Sequence, residues 1–74
     1  MNKERKSKIK LYKSMIGDIL NKLNGLLDEE QDYYDNIPEN LQSSLKADIS
    51  QDAIEELEEA ISNLNDAIDH LDNI

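Results

Sequence analysis

The chain has 74 residues and a mass of 8.5 kDa, which is enough for one small domain. It contains no Cys, Phe, Trp, Val or Thr, so its composition excludes a disulfide framework and a thiolate metal site and argues strongly against a β-sheet fold. Seventeen acidic residues against eight basic ones give a net charge of −9, and no apolar run is long enough to span a membrane. The lack of Cys is typical of a reducing compartment, and we expect a cytoplasmic location.

The first predicted helix carries apolar residues at steps that alternate between three and four. Such spacing is a heptad pattern with the apolar residues at a and d, and it is interrupted at Glu30. Leu20, Leu27 and Tyr34 add a third apolar position, e, which is typical of a helix in a bundle. We predict a helix over about residues 4–35. The a and d residues of the pattern are Ile9, Tyr12, Ile16, Ile19, Leu23, Leu26, Tyr33 and Ile37, the last of which lies just beyond the predicted helix.

A connector of about residues 36–49 follows, and it contains the only proline of the chain. Asn36 followed three residues later by Glu39 resembles a capping box, and Pro38 is tolerated in a first helical turn. We predict a short connecting helix over about residues 37–45. Its apolar anchors would be Ile37, Leu41 and Leu45.

The second predicted helix, over about residues 50–73, repeats the alternating spacing of three and four. Its a and d residues are Ile54, Leu57, Ile61, Leu64, Ile68 and Leu71, and alanines at positions 53, 60 and 67 form a neighbouring row at g. Asp48 or Ser50 is the expected N-cap. Small side chains in such a row allow another helix to approach closely.

Charge is distributed unevenly, and this predicts an antiparallel hairpin. Residues 1–22 contain seven basic and two acidic side chains, whereas residues 23–74 contain one basic and fifteen acidic ones. Folding back places Asp66, Asp69 and Asp72 beside the basic segment from Lys3 to Lys13, so that the charges at this end offset each other and the helix dipoles. We therefore interpret the basic segment as an intramolecular counterpart to these aspartates rather than as a nucleic-acid-binding tail.

Two helices of this length bury little apolar surface on their own. A chain this small rarely gains more than about 3–5 kcal/mol from its core without disulfides, metals or a partner. Each predicted helix also has an apolar face wider than one neighbour can cover. The predicted fold is therefore all-α, a single antiparallel hairpin domain that dimerises into a four-helix bundle.

Residues that could support catalysis or hold a cofactor are scarce. His70 is the only histidine, no nucleophile is paired with a base, and neither Glu-x-x-His spacing nor a calcium-binding loop is present. We expect no enzymatic activity, no cofactor and no metal, with His70 at the surface paired with Asp66. Glu30 is expected to reach solvent or Lys46, and the alternative is a polar contact that sets the register of the bundle.

Twelve carboxylates are concentrated around the connector with Lys46 as their only basic neighbour. We call this region the acidic end, and its members are Asp28, Glu29, Glu30, Asp32, Asp35, Glu39, Asp48, Asp52, Glu55, Glu56, Glu58 and Glu59. Crowded carboxylates can steer a protein onto a basic surface or imitate nucleic-acid phosphates, with tyrosines as desolvated anchors. The alternative is a solvated end that only increases solubility. The candidate partner-binding residues are Asp32, Tyr33, Tyr34, Asp35, Glu39, Glu55 and Glu59.

The sequence of the connector also resembles a segment found in other small proteins. The stretch Tyr34-Asp-Asn-Ile-Pro-Glu-Asn-Leu-Gln-Ser-Ser44, followed by the Glu-rich second helix, resembles a group of small acidic proteins of phages and Gram-positive bacteria. In these proteins a Pro-Glu-Asn-Leu-Gln segment joins two helices. The basic first helix of this chain departs from that pattern. The resemblance implies no activity, and it suggests a phage or mobile-element context in a bacterial host cell.

Together these observations predict a non-enzymatic module that inhibits or regulates a host protein by binding its basic surface. The expected partners are a second copy of the chain and a basic protein, for example a host defence or nucleic-acid-binding protein, with no membrane partner. One alternative is a structural role in which the bundle scaffolds a larger assembly. Another, less favoured, is direct nucleic-acid binding through the basic segment.

Overall fold

The computed structural model describes all 74 residues, which form a hairpin of two long helices. Helix α1 spans Lys3–Asp35, helix α2 spans Leu45–Asp72, and a 3₁₀ turn at Glu39–Leu41 lies between them. The Cα trace measures 59 × 15 × 13 Å, so the two helices lie side by side as a thin rod. The predicted all-α fold, with two long helices packed against each other, is confirmed.

Helix α1 is capped by an asparagine at each end. The Asn2 side chain accepts a hydrogen bond from the Arg5 N–H at 2.8 Å, which satisfies one of the free donors of the first turn. At the other end, Asn36 Nδ2 donates to the Asp32 carbonyl oxygen at 2.8 Å. The predicted bounds agree with those of α1 to within one residue.

Helix α2 begins at Leu45, five residues earlier than predicted. Neither Asp48 nor Ser50 is its N-cap, because Ser44 Oγ accepts a hydrogen bond from the Ala47 N–H at 3.3 Å. Asp48 instead lies in the first turn, where a carboxylate is favourable near the positive end of the helix dipole. The earlier start extends the contact with α1, since both Ala47 and Ser50 are buried.

The connector forms a 3₁₀ turn over Glu39–Leu41, which is shorter than the connecting helix predicted over about residues 37–45. Asn36 is used as the C-cap of α1, and no side chain caps the turn, so the expected capping box with Glu39 is not formed. An amide side chain stabilises the connector instead: Gln42 Nε2 donates to the carbonyl oxygens of Ile37 at 2.8 Å and Tyr34 at 3.4 Å.

Only one of the three predicted connector anchors is even half-buried. Ile37 is partly covered, whereas Leu41 is 48% exposed and Leu45 is 75% exposed. The connector is too short to fold back over the ends of the two helices, so these leucine side chains remain in contact with solvent. The apolar surface at this end of the molecule is therefore larger than predicted.

The apolar face predicted for α2 is the face that packs on α1. Ile54 and Ile61 are buried, and the other a and d positions, Leu57, Leu64, Ile68 and Leu71, are half-buried. Leu20 on α1 and Ala47 on α2 complete the buried apolar core. Only five of 74 residues are buried, so the hairpin alone has a very small core.

On α1 the contact with α2 uses the a and e rows rather than the a and d rows. Leu20 is 6% exposed, and Ile16, Leu23, Leu27 and Tyr34 are half-buried. The d row stays in solvent, with Tyr12, Ile19, Leu26 and Tyr33 between 45% and 53% exposed. Rows a and e are about 40° apart on a helix, and d lies about 80° from their midpoint, so a single neighbouring helix cannot cover all three.

Glu30 lies in the interface between the helices, so the expectation that it reaches solvent or Lys46 is wrong. Its Oε2 accepts a hydrogen bond from Ser50 Oγ at 2.6 Å. Glu30 is half-buried and Ser50 is only 2% exposed. Because this contact is formed in one register of the two helices, it supports the alternative in which Glu30 sets the register.

Candidate functional site

The last turn of α1 and the connector hold four of the seven candidate residues in exposed positions. Asp32, Tyr33 and Asp35 end α1, and Glu39 begins the 3₁₀ turn. Asp35 accepts a hydrogen bond from Gln31 Nε2 at 3.2 Å, a contact that leaves its second oxygen available. These side chains contribute to the exposed surface at the tip of the rod, and Asp35 lies about 160° from Tyr33 around α1, at 100° per residue.

The other three candidate residues do not join this surface. Tyr34 is half-buried in the contact between the helices. Glu55 and Glu59 are exposed on α2 but lie about 15 Å and 21 Å along the helix from Leu45, at 1.5 Å per residue. A partner that contacts the tip therefore reaches Glu55 and Glu59 only by extending along α2.

A cavity of about 470 Å³ opens beside this tip. Tyr33, Ile37, Pro38 and Leu41 form its apolar part, and its polar residues are Asn36, Ser44 and Lys46. Its volume falls in the range of sites that bind small molecules or single side chains. The sequence predicts Ile37 and Leu41 as internal anchors and therefore does not indicate this cavity; Pro38 between these two large apolar residues is the signal available in the sequence.

Carboxylates of the acidic end form no ion pairs. The ion pairs of the molecule are Lys8–Glu4, at 3.4 Å, and Lys13–Asp72, both in its other half. Lys46 is exposed and forms none. The acidic end therefore carries uncompensated negative charge, which attracts cationic groups over distances of up to a Debye length.

The basic segment is only partly compensated by α2. Asp72 pairs with Lys13, as the antiparallel arrangement requires, but Asp66 and Asp69 form no ion pair with the lysines of α1. A second, smaller cavity of about 180 Å³ lies here, among Ile9, Leu71 and Ile74 and the stems of neighbouring lysines. Lys3, Arg5, Lys6 and Lys10 therefore remain available for other contacts.

His70 is exposed and forms no ion pair with Asp66, contrary to the expected pairing. Acidic and histidine side chains do not assemble into a group of three or more that could hold a metal ion. Neither helix contains a segment long and apolar enough to cross a membrane.

No protein-family model, curated protein or solved structure matches the chain. The function must therefore be argued from the site itself.

Proposed function

We propose that the hairpin is a non-enzymatic protein-interaction module whose acidic end binds a basic surface on another protein. The observation that carries this proposal is the cavity beside Tyr33 at the acidic end of the molecule, where no carboxylate has an ion-pair partner and Lys46 is the only charged residue that lines the cavity itself. An apolar site with a charged rim is the usual anatomy of a protein-binding surface.

The apolar residues of the cavity and the carboxylates near it contribute to this interaction in different ways. Tyr33, Ile37 and Leu41 accept an apolar side chain or the stem of an arginine or lysine from the partner, and burial of these residues supplies most of the affinity. Asp32, Asp35 and Glu39 attract the partner and orient it, which increases the association rate at low salt.

The biological setting that we propose follows from the resemblance of the connector to small acidic proteins of phages and Gram-positive bacteria. In the cytoplasm of a bacterial host, a negatively charged rod can occupy the basic groove of a nucleic-acid-binding or defence protein and so inhibit or regulate it. The dense row of carboxylates then takes the place of nucleic-acid phosphates.

We further propose that two hairpins associate into a four-helix bundle. The exposed d row of α1 supports this, because five large apolar side chains at or beside it remain at least 45% exposed in the hairpin: Tyr12, Met15, Ile19, Leu26 and Tyr33. A face of this kind is typical of an interface between subunits. Sedimentation equilibrium at micromolar concentration should give twice the chain mass of 8.5 kDa; a folded monomer would contradict the dimer.

The partner-binding proposal is tested with two variants of equal charge. The test variant combines Asp32→Asn, Asp35→Asn and Glu39→Gln, and the control combines Asp18→Asn, Asp66→Asn and Asp69→Asn, which are exposed acids outside the acidic end. Both should keep the helical circular dichroism of the wild type. A partner captured from bacterial lysate should bind the test variant roughly tenfold more weakly at low salt, and the control variant unchanged.

Other outcomes of this experiment separate the competing functions. Equal binding of the two variants at every salt concentration would contradict a role for the acidic end. Binding to labelled DNA or RNA that is lost in a Lys3→Gln, Lys6→Gln and Lys10→Gln variant would instead show nucleic-acid binding through the basic segment. Assembly into large particles without a partner would favour the scaffolding role.

A further inference from the structure

The exposed apolar face of α1 is extended by the alanine row of α2. In an antiparallel pair viewed along one axis, the d side of α1 and the g side of α2 lie on the same side of the contact. Tyr33 and Lys46 belong to these two rows and line the same cavity, which agrees with this placement. The small side chains of Ala53, Ala60 and Ala67 therefore lie next to Leu26, Ile19 and Tyr12.

The charged residues at the two ends of this exposed face differ in sign. Arg5 continues the d row of α1 beyond Tyr12, and Lys8 lies beside it; toward the connector the row is flanked by Glu29 and Asp32. Arg5, Glu29 and Asp32 are exposed and form no ion pair. Lys8 forms only the exposed pair with Glu4, which contributes little to stability. The face is thus mainly positive at one end and mainly negative at the other, with Lys22 beside its apolar middle and Lys46 of α2 as a basic residue at the connector end.

Two-fold symmetry allows two ways to pack this face on itself. With the two-fold axis along the helices, the connectors of both copies lie at the same end of the bundle, and α1 packs on α2 of the second copy. With the axis across the helices, the connectors lie at opposite ends, and α1 packs on α1. All neighbouring helices are antiparallel in both arrangements, so helix packing does not distinguish them.

Electrostatics distinguishes the two arrangements. When the connectors lie at the same end of the bundle (matched ends), the uncompensated carboxylates of one copy lie beside those of the other, which is unfavourable. When the connectors lie at opposite ends (reversed ends), Arg5 and Lys8 of each copy lie near Glu29 and Asp32 of the other. We propose that a second copy covers this face with its ends reversed, so that the basic segment of each copy lies over the acidic end of the other; this inference rests on the dimer proposed above.

The reversed arrangement has a consequence for the acidic end. Its cavity beside Tyr33 lies at the edge of the covered face, where the first turns of the second copy arrive. The basic segment of the second copy then occupies the position proposed for a basic partner. The dimer and the complex with the partner are therefore alternative states of the same surface.

Distances between spin labels test the orientation directly, because the chain has no native cysteine. Ser7→Cys and Asn21→Cys place labels at exposed positions in the f row of α1, which points away from the proposed interface. With reversed ends, the two Ser7→Cys labels of a dimer should be on the order of 45 Å apart and the Asn21→Cys labels about 25 Å apart or less, at 1.5 Å per residue. With matched ends, the two α1 helices lie diagonally across the bundle, so both distances should be nearly equal, at about 30 Å, and clearly shorter than the Ser7→Cys distance with reversed ends.

Each possible result of the distance measurement tests a different statement about the dimer. A long distance for Ser7→Cys with a short one for Asn21→Cys supports the reversed dimer. Short distances for both overturn the reversed orientation and leave the proposed dimer intact. If no distance between chains is detected and the protein sediments as a monomer, the proposed dimer itself fails.

A pair of substitutions of equal charge tests which face is covered. Ile19→Asp introduces a carboxylate into the middle of the face, and Ser14→Asp introduces one in the outward f row. Both variants should retain helical circular dichroism, because neither residue lies in the contact between α1 and α2. Ile19→Asp should raise the dimer dissociation constant more than tenfold and Ser14→Asp less than threefold. Equal effects would exclude this face.

Discussion

Leu20 and Ile19 are adjacent on α1, similar in size and hydrophobicity, and located in opposite environments. Leu20 is 6% exposed in the contact with α2, whereas Ile19 is 52% exposed. The same contrast separates Leu27, which is half-buried, from Leu26, which is 53% exposed. The two rows differ only in their angle to α2. Hydrophobic periodicity thus identifies an apolar face, and the number of neighbouring helices decides which part of it is buried.

The sharpest test of this comparison replaces one residue from each row. Leu20→Ala removes a buried side chain and should cost about 2–5 kcal/mol, which is comparable to the whole stability of a chain this small. This loss should appear at every protein concentration. Leu26→Ala should cost less than about 1 kcal/mol in dilute solution and more as concentration rises, because its row acts only in the dimer.

Urea unfolding followed by circular dichroism at several protein concentrations measures both losses. If the two variants lose the same stability at the lowest concentration, the rows are equivalent in the hairpin and the comparison is wrong.

A smaller loss of stability is expected when the hydrogen bond between Ser50 and Glu30, which interrupts the buried apolar row, is removed. Ser50→Ala leaves the half-buried Glu30 carboxylate without its hydrogen-bond donor and should cost about 1–3 kcal/mol. Ser62→Ala, at an exposed position on α2, is the matched control and should change stability by less than about 0.5 kcal/mol. Adding Glu30→Leu to Ser50→Ala should restore stability, since both polar groups are then gone. A double variant as unstable as Ser50→Ala would contradict this explanation.

The two N-caps of the molecule should differ in their contributions as well. Ser44 caps α2 where buried Ala47 packs on α1, so Ser44→Ala should cost about 1 kcal/mol. Asn2 caps an exposed first turn that can fray without loss of packing, so Asn2→Ala should cost only a few tenths of a kcal/mol. Thermal unfolding of the two variants at equal concentration measures the difference, and equal losses would show that α1 is packed to its first turn.

The smallest expected effect is a gain in stability. Gly17 and Gly25 lie within α1 without positive φ, and a Cβ at either position meets no atom within 4 Å. Gly17→Ala should therefore increase the free energy of unfolding by about 0.5–1 kcal/mol. Gly25→Ala should give a similar increase, and the urea midpoint of each variant is the measurement. A decrease for Gly17→Ala would contradict the open space found beside this glycine.

The sequence predicted the helices well and the connector poorly. Asn2 and Asn36 lie just outside the ends of α1, and the heptad pattern between them gave its bounds to within one residue. The start of α2 was placed too late because Ser44, Asp48 and Ser50 are all suitable caps, and only the packing of Ala47 on α1 selects Ser44. The cavity beside Tyr33 could not be predicted, because it depends on how Ile37 and Leu41 are left uncovered by the connector.

Local patterns in the sequence determined two amphipathic helices and the uneven distribution of charge, because these depend on residues close together in the chain. Which apolar row is buried was decided only by the tertiary structure, since it depends on the angle at which α2 meets α1. The contact of Glu30 with Ser50 was decided in the same way, because the register between distant residues has no local signal. Packing therefore assigned Leu20 to the core and left Ile19 exposed.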